Sequence, residues 1–305
     1  MQKKIDQAVA EISTVLLGKE SQVRLALCCL LAKGHLLIED LPGMGKTTLS
    51  NALARVLGLE YQRVQFTSDL LPADILGVSV FNRDTSAFQF IPGPIFTQVL
   101  LADEINRTTP KSQSALLEAM EEGQVTIEGQ TRELPAPFFV IATQNPATQS
   151  GTYPLPESQL DRFLMRLSLG YPDPDAERKL LLGEDNNKKL ARMRQVISVA
   201  ELVSIQQAVN EIHCSDSLLD YVQRLVASSR DNQQFVCGLS PRGALALLRC
   251  AKTWALMSGR GHVVPEDVQM VLPSVAEHRL GTASDYQHQS RGLAYKLLED
   301  VAVIG

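Results

Sequence analysis

The sequence predicts an α/β protein in two parts: a parallel five-stranded sheet with helices on both faces and two β-hairpin inserts, then a smaller all-α domain. Short apolar runs alternate with helical patterns up to about residue 170, which is typical of a parallel sheet covered by helices. A glycine-rich loop joins the first of these runs to a helix. From Pro172 onward no strong strand pattern is visible, and apolar residues recur at helical spacing. We therefore predict an α/β domain over residues 1–171 and a helical domain over residues 172–305.

Each element of the first domain follows from the spacing of its apolar residues. Predicted strands cover residues 35–39, 61–66, 98–103, 138–143 and 164–169, and predicted helices cover residues 5–16, 21–33, 47–57, 111–122 and 157–163. Two interruptions predict β-hairpins, because strand-like residues at 78–81 and 87–90, and again at 124–127 and 131–134, flank polar turns.

The composition is that of an ordinary folded protein. Of the 305 residues, 45% are hydrophobic and 21% charged, and the mean hydropathy is −0.02. These values exclude intrinsic disorder, collagen-like chains and small disulfide-rich scaffolds. The net charge of −5 and the isoelectric point of about 5.6 give the chain no overall positive field. We therefore expect no nucleic-acid partner and no attraction to acidic membranes, although the net charge does not exclude a local basic patch.

The cysteines and the apolar runs indicate the cellular compartment of the protein. The five cysteines form no Cys-x-x-Cys pair and no zinc-type grouping, which indicates buried free thiols in a reducing compartment. No apolar leader segment follows Met1. The longest apolar run, residues 25–32, is much shorter than the ~20 residues that cross a bilayer. We expect a cytoplasmic protein without membrane insertion.

A glycine-rich loop carries the sharpest chemical signal. The stretch Asp-Leu-Pro-Gly-Met-Gly-Lys-Thr-Thr, residues 40–48, follows an apolar strand and opens a helix, which is the context that a phosphate-binding loop requires. Gly43 and Gly45 let the backbone curl so that its N–H groups surround anionic oxygens, and the helix N-terminus adds partial positive charge. Lys46 is then placed for the β- and γ-phosphates of a nucleotide, and the Thr47 hydroxyl for Mg²⁺.

The loop departs from the strict phosphate-loop pattern at one position. That pattern has glycine where this chain has Asp40. A plain glycine-rich turn is the alternative interpretation, and the agreement of strand, loop and helix outweighs it. We assign nucleotide binding to Pro42, Gly43, Met44, Gly45, Lys46, Thr47 and Thr48.

Polar residues at the ends of two further strands fit the same chemistry. Asp103 and Glu104 follow an apolar strand, and carboxylates at such a strand end lie beside the phosphate loop. Asp103 is placed to hold Mg²⁺ together with Thr47, and Glu104 to orient and deprotonate the attacking water. Asn145 ends the next strand, where its amide would contact the water or the γ-phosphate. Taken alone, an asparagine before proline more often forms a turn.

In combination, these motifs resemble those of the AAA+ ATPases, and among them the MoxR group. The resemblance extends over nearly the whole chain, and four stretches carry it: Ile38-Glu-Asp-Leu-Pro-Gly-Met-Gly-Lys-Thr47, Asp69-Leu-Leu-Pro-Ala-Asp-Ile-Leu-Gly77, Pro92-Gly-Pro-Ile-Phe96 and Tyr153-Pro-Leu-Pro-Glu-Ser-Gln-Leu-Asp-Arg-Phe163. MoxR-like loops often carry Glu-Asp ahead of Pro-Gly, so Asp40 fits the group. The two predicted hairpins match this group's insertions, one in helix 2 and one before the sensor 1 strand.

The resemblance implies roles for further polar residues. Asn145 is similar to the sensor 1 residue of this family. Arg162 is similar to the arginine finger that reaches the γ-phosphate bound by a neighbouring subunit, and Arg166 is the second candidate. Arg242 is similar to the sensor 2 residue at the start of a lid helix, where a cation would sense the γ-phosphate and couple hydrolysis to lid movement. Without the resemblance, Arg162 and Arg242 would be interpreted as surface charges paired with carboxylates.

The resemblance also implies the cofactors and the assembly. ATP or ADP would bind with Mg²⁺, and Leu17 and Gly18 would flank the adenine. Because an arginine finger comes from a neighbour, hydrolysis would depend on assembly, and rings of six subunits are the habit of this family. The implied activity is ATP hydrolysis that remodels or matures partner proteins, which in this family often carry von Willebrand factor A domains.

Two other functions are compatible with parts of the pattern. Related AAA+ proteins include nucleic-acid motors, but the hairpin at 124–134 sets Arg132 against Glu128 and Glu133 and is therefore not basic. A nucleotide-gated scaffold with little turnover is the other alternative. The complete set of predicted phosphate, metal and water residues argues against it.

Overall fold

The secondary structure alternates between strands and helices in the first half of the chain and is mostly helical in the second. The computed structural model describes residues 1–84, 86–145, 153–182, 186–231, 235–282 and 292–304. The strands are β1 (Leu36–Glu39), β2 (Tyr61–Gln65), β3 (Gly77–Asn82), β4 (Ala87–Pro92), β5 (Val99–Asp103), β6 (Gln124–Ile127), β7 (Gln130–Glu133), β8 (Phe139–Gln144), β9 (Met165–Leu167), β10 (Phe235–Cys237) and β11 (Gly281–Thr282). The helices are α1 (Gln2–Ser13), α2 (Glu20–Leu31), α3 (Lys46–Val56), α4 (Pro72–Leu76), α5 (Pro110–Glu122), α6 (Glu157–Leu160), α7 (Pro174–Leu181), α8 (Asn186–Arg192), α9 (Val199–Ala208), α10 (Asp216–Asp231), α11 (Pro241–Met257), α12 (Pro265–Ala276) and α13 (Leu293–Asp300).

Five parallel strands form one sheet in the order β2-β5-β8-β1-β9. The central strands are in register, since both Leu36 of β1 and Leu101 of β5 lie beside Ile141 of β8. Because all five strands run in the same direction, their carboxyl ends meet at one edge of the sheet, where the loop after β1 also lies. The predicted five-stranded parallel sheet is confirmed.

The side chains of the central strands alternate between two apolar cores. Leu36 and Ile38 of β1 belong to the larger core, whereas Leu37 belongs to the smaller one. The larger core also contains residues of α1, α2, α3 and the C-terminal helices, and the smaller core contains residues of α4 and α5. Both faces of the sheet are therefore covered, which confirms helices on both faces.

Two predicted elements are each three residues shorter in the structure than in the sequence pattern. The strand predicted over 164–169 is reduced to β9, because it is an edge strand that pairs with only three residues of β1. The helix predicted over 157–163 ends at Leu160, because Phe163 turns into the smaller core and is fully buried there. The other predicted boundaries in the sheet domain lie within three residues of the observed ones, and several coincide with them.

Two antiparallel hairpins lie outside the main sheet, at the predicted positions. One is formed by β3 and β4, and the other by β6 and β7. Phe81 and Phe88 face each other across the first hairpin at a ring distance of 5.4 Å, and both are largely exposed. The guanidinium of Arg132 lies 4.1 Å from the ring centroid of Phe90, and this cation–π contact joins the two hairpins.

The second half is mostly helical, as predicted. In the described part of this half, β10 and β11 form a short antiparallel pair, whose two or three residues per strand are too few to give a sequence pattern. Arg279, which follows α12, joins this half to the sheet domain: its Nε donates to Oδ1 of Asp161 at 2.6 Å, and its Nη2 to the carbonyl of Phe163 at 2.7 Å. The position of the domain boundary, between residues 171 and 172, stays a prediction.

The cysteines are all free, and three of them lie in the core. Burial raises the pKa of Cys28 and Cys29 well above its usual range, and it raises that of Cys250 to about 12. These thiols are therefore unreactive packing groups. Within the described ranges, no helix combines the length and apolarity needed to cross a bilayer.

His35 is half-buried and His278 is buried, and backbone groups hold both imidazole rings. The Nδ1 atom of His35 accepts the N–H of Val140 at 2.9 Å, and its Nε2 donates to the carbonyl of Met120 at 3.1 Å. Burial lowers the pKa of His35 to about 4. Burial, and then the charge of Arg279, hold the pKa of His278 well below its usual range.

We expect the rings of His35 and His278 to stay neutral at about pH 5.5, below the usual histidine pKa of ~6.5. The unfolded chain binds protons at these histidines below that pKa, whereas the folded chain does not bind one at His35 until about pH 4. The free energy of unfolding should therefore decrease as the pH falls through this window. ¹⁵N NMR of the imidazole rings measures the protonation state, with His35→Gln as the variant that assigns the signal. A protonated His35 ring at that pH would contradict the buried hydrogen-bonded arrangement.

Candidate functional site

The loop between β1 and α3 has the backbone shape of an anion cradle. Gly43 and Gly45 adopt positive φ angles of 84° and 92°, which glycine adopts without strain. Gly45 caps the N-terminus of α3, so the first N–H groups of this helix point toward the loop. A Cβ atom at position 45 would lie 2.9 Å from Cδ1 of Leu16, so a larger residue would also disturb the packing.

This loop lines a cavity of about 350 Å³. The lining residues come from the loop and from the carboxyl ends of three strands: Pro42, Gly43, Gly45, Lys46, Thr47, Thr48, Arg63, Gln65, Asp103, Glu104 and Asn145. The structure thus places the predicted phosphate, metal and water residues around one space. Met44 does not line it and packs against the larger core. Leu17 and Gly18 also lie outside the lining, in the turn between α1 and α2.

Lys46 is the buried cation of this cavity. Its Nζ donates to the carbonyl of Asp40 at 2.7 Å, to Oδ1 of Asn145 at 3.2 Å and to the carbonyl of Gln144 at 3.4 Å. Burial lowers the pKa of Lys46, and nearby carboxylates, first that of Asp103, act in the opposite direction. All three of these acceptors are uncharged, so an anion that enters the cavity gains a strong, charge-assisted partner.

The carboxylate of Asp103 is held from two sides. Oγ1 of Thr143 donates to Oδ1 at 2.5 Å, while Arg63 donates to Oδ2 from Nη2 at 2.7 Å and from Nε at 3.1 Å. The Asp103 side chain is only 10% exposed, whereas that of Arg63 is 49% exposed. The Arg63 guanidinium therefore covers one carboxylate oxygen, and a cation that binds this oxygen must compete with it.

Three neighbours fix the carboxylate of Glu104. Nδ2 of Asn145 donates to Oε1 at 3.0 Å, Nε2 of Gln65 donates to Oε2 at 2.9 Å, and Nε of Arg107 lies 3.1 Å from the same oxygen. The backbone N–H of Glu104 donates to Oγ1 of Thr143 at 2.9 Å. Its φ of 58° is uncommon for a residue with a side chain, and such backbone strain is concentrated at functional sites.

The cavity offers the ligands that Mg²⁺ prefers. The Thr47 hydroxyl and the Asp103 carboxylate are hard oxygen donors, and both residues line the cavity. Over the described part of the chain, no group of three or more His, Cys, Asp or Glu residues could hold a metal ion. Mg²⁺ in nucleotide sites typically takes one or two protein ligands and completes its shell with water and phosphate oxygens. The residues present therefore fit a magnesium–nucleotide pair.

Arg162 and Arg242 lie together, but away from the phosphate loop. Both line a second cavity, of about 360 Å³, whose other lining residues are Lys33, Gly34, His35, Met120, Glu121, Asp161, Leu164, Leu245, Ala246, Arg249 and Arg279. Five cationic side chains and two carboxylates line it, so we call it the basic cavity. Residues 33–35 precede β1 and the phosphate loop follows it. The two cavities are therefore at opposite ends of this four-residue strand, which is roughly 13 Å long.

Glu121, near the end of α5, contacts both of these arginines. It forms an ion pair with Arg162, and its Oε1 lies 3.1 Å from Nη1 of Arg242. Nη1 of Arg162 also donates to the carbonyl of Leu117 at 2.9 Å. Arg166, the second candidate for the arginine finger, pairs instead with Glu39 at 3.0 Å.

Arg63, Gln65, Glu121 and Thr143 are among the residues that shape these cavities but were not predicted from the sequence. Arg63 and Gln65 are two positions apart on β2, and the register sets Gln65 beside Asp103. A polar pair at this spacing marks one face of a strand, so a signal was available. Glu121 and Thr143 had no comparable signal, because their partners come from other elements.

Two family models match the chain. The model described as "ATPase family associated with various cellular activities (AAA)" matches residues 35–165, and that of the AAA lid domain matches residues 227–295. The first range contains the phosphate loop and four strands of the sheet and ends at the first residue of β9, and the second contains α11 and α12.

Similar proteins extend the match over most of the chain. YeaC of Bacillus subtilis, an uncharacterized protein, is 46% identical over 90% of this chain and 86% of its own length. The chaperone MoxR1 of Mycobacterium tuberculosis is 40% identical over 90% of this chain and 75% of its own length. The crystal structure of a provisionally assigned ATPase from Cytophaga hutchinsonii has a TM-score of 0.88 and 34% identity, covering 99% of this chain and 95% of its own. With this sheet, this phosphate loop and these relatives, the chain belongs to the MoxR family of AAA+ ATPases.

Proposed function

We propose that this protein hydrolyses ATP at a site shared between adjacent subunits and uses the energy to remodel or mature client proteins. One observation carries the proposal: the predicted phosphate, metal and water residues surround a single cavity at the carboxyl edge of the sheet. Phosphoryl transfer to water needs this combination, since it depends on positioning and on charge neutralisation. The similarity to the chaperone MoxR1 supports the remodelling part.

In this proposal, the phosphate loop and Lys46 bind the phosphates of ATP. The Lys46 ammonium exchanges its uncharged acceptors for phosphate oxygens, and the backbone N–H groups of the loop surround the rest. Thr47 and Asp103 would hold Mg²⁺, which neutralises negative charge on the phosphates when it is bound. The proposed adenine position is beside Leu17 and Gly18, because the neighbouring Leu16 packs against the loop at Gly45.

Glu104 is the proposed base that accepts a proton from the attacking water. Its two carboxylate oxygens are oriented before water binds, because Asn145 holds one of them and Gln65 and Arg107 hold the other. Asn145 also accepts a hydrogen bond from Lys46. A single amide thus links the cation that binds phosphate to the base that activates water, which is the function proposed for this sensor 1 position.

Arg162 and Arg242 are proposed to act on the nucleotide of a neighbouring subunit. Neither lines the cavity that would hold the nucleotide of its own chain. The net positive charge of the basic cavity suits an anion presented by another copy. Contacts between two different faces of identical chains repeat head to tail and can close into a ring. The family resemblance supports six subunits.

The client proteins would be bound outside the two cavities. The first hairpin offers apolar surface for this, since the Phe81 and Phe88 side chains are 51% and 73% exposed. The family resemblance makes proteins with von Willebrand factor A domains the first candidates. We assign ATP binding to residues 1–171 and the lid to residues 172–305, and the five free thiols support a cytoplasmic location.

We expect Lys46→Ala to weaken nucleotide binding by about 10- to 100-fold, since it removes a charge-assisted contact to phosphate. Glu104→Gln should keep that binding and lower turnover by about 10²- to 10⁴-fold, because the amide cannot accept the proton. Fluorescent-nucleotide titration and phosphate release measure the two effects. Lys111→Ala, which removes an exposed lysine from α5, is the matched control. Undiminished binding by Lys46→Ala, or normal turnover by Glu104→Gln, would contradict the assigned roles.

A second test concerns Thr143, whose hydroxyl joins Asp103 to the backbone of Glu104. Thr143→Val keeps the shape and removes both hydrogen bonds, so we expect turnover to fall by about tenfold or more through misplacement of these carboxylates. The control is Thr97→Val, since the Thr97 hydroxyl is buried without a hydrogen-bond partner in the described structure. Equal turnover in the two variants would show that the Thr143 hydroxyl does not position the site.

The shared site can be tested by mixing two inactive variants, Glu104→Gln and Arg162→Ala. Each variant retains what the other lacks, so about one quarter of the interfaces in a randomly mixed ring are complete. We therefore expect phosphate release to recover on mixing. Failure to recover, when both variants assemble and exchange subunits, would show that Arg162 does not act on a neighbour.

A further inference from the structure

Glu121 is the common partner of the two arginines in the basic cavity. Its Oε2 pairs with Arg162 and its Oε1 lies 3.1 Å from Nη1 of Arg242. Each carboxylate oxygen therefore serves a different guanidinium. The three residues come from three separate elements: α5, the turn after α6, and the first turn of α11. This contact therefore adds to the connections between the sheet domain and the helical half.

The position of Glu121 is not explained by the stability of its own helix. It lies in the last turn of α5, where the helix dipole favours cations over carboxylates. Its side chain is 36% exposed, and those of Arg162 and Arg242 are 29% and 47% exposed, so the ion pairs contribute little to folding. Glu121 is unfavourable for its own helix, yet its carboxylate contacts two arginines. We infer that its role is to position those arginines.

The contacts leave both guanidinium groups with donors for a further anion. Arg162 contacts Glu121 and the carbonyl of Leu117 through Nη1, and Arg242 contacts Glu121 through Nη1 as well. Within the described ranges, no hydrogen bond engages Nη2 or Nε of either residue. The other carboxylate of the cavity, Asp161, is occupied by Arg279 and by the Ser240 hydroxyl. Glu121 therefore orients the two arginines without using all their donors.

We propose that Glu121 is a positioning residue that holds Arg162 and Arg242 as one unit aimed at the γ-phosphate bound by a neighbouring subunit. This inference rests on the proposed function, in which those arginines act in the adjacent site. Because one carboxylate orients both guanidinium groups, its loss disables the two arginines together, while the nucleotide cavity of the same chain stays intact.

The test uses Glu121→Gln, which keeps the size of the side chain and removes its charge. Glu122→Gln is the matched control, because Glu122 is the next residue of the same helix end and is also exposed. We expect Glu121→Gln to bind nucleotide as the parent does and to lose about 10- to 100-fold in turnover through misplacement of the arginines. The control should retain parental turnover.

Mixing separates a positioning role from a purely structural one. Turnover of Glu121→Gln should recover when it is mixed with Glu104→Gln and should not recover when it is mixed with Arg162→Ala, because only the first partner supplies intact arginines. Adding Glu121→Gln to Arg162→Ala in one chain should cause no further loss.

Four results would overturn the inference. They are parental turnover in Glu121→Gln, faster turnover in Glu121→Gln, weakened nucleotide binding by that variant, and recovery with Arg162→Ala. The mixture of Glu104→Gln with Arg162→Ala is the separate check on the proposed function. If that pair fails to recover, the shared site itself is wrong and the positioning role falls with it. If that pair recovers and Glu121→Gln remains fully active, only the role of Glu121 is wrong.

Discussion

The order of the strands in the parallel sheet determines which side chains meet at the nucleotide cavity. Because β8 lies between β5 and β1, Asp103, Asn145 and the phosphate loop reach the same edge although they are far apart in the chain. Two apolar cores, one on each face, hold these strands in register. A slip of β5 by one residue would turn the Asp103 side chain to the other face and remove it from Thr143. The geometry of the cavity is therefore set by the packing of Leu, Ile and Val side chains.

The opposite end of β1 carries a second group of charged side chains, which are mostly cationic. At the carboxyl end of β1, Lys46 and the loop N–H groups can bind an anion. At the amino end of β1, Arg162 and Arg242 line the basic cavity. In our proposal, a single chain holds two halves of a site that face away from each other, so catalysis requires a second copy. Glu121 of α5 pairs with Arg242 of α11. The arginines that would reach the neighbour therefore lie where the sheet domain contacts the helical half.

The sequence predicted most of the sheet and much of the candidate site, because that information is local. Lys46 sits in a contiguous glycine-rich motif, and Asp103 and Glu104 directly follow a buried strand, so strand ends alone indicated them. Contacts between residues that are far apart in the sequence could not be predicted from such local patterns. The strand predicted over 164–169 was too long because its edge position depends on β1. Arg162 and Arg242 were identified only through the family resemblance, and their meeting at Glu121 depends on three elements that only the fold brings together.

In our proposal, one chain does not contain a complete site for ATP hydrolysis. The most direct test is the rate of phosphate release per subunit across a dilution series in which sedimentation shows the protein passing from assembled to monomeric. We expect the rate per subunit to fall with the assembled fraction and to become very low in the monomer, while nucleotide binding through Lys46 persists. A constant rate per subunit down to fully monomeric protein would show that Arg162 and Arg242 are not needed from a neighbour, and the proposed shared site would then be wrong.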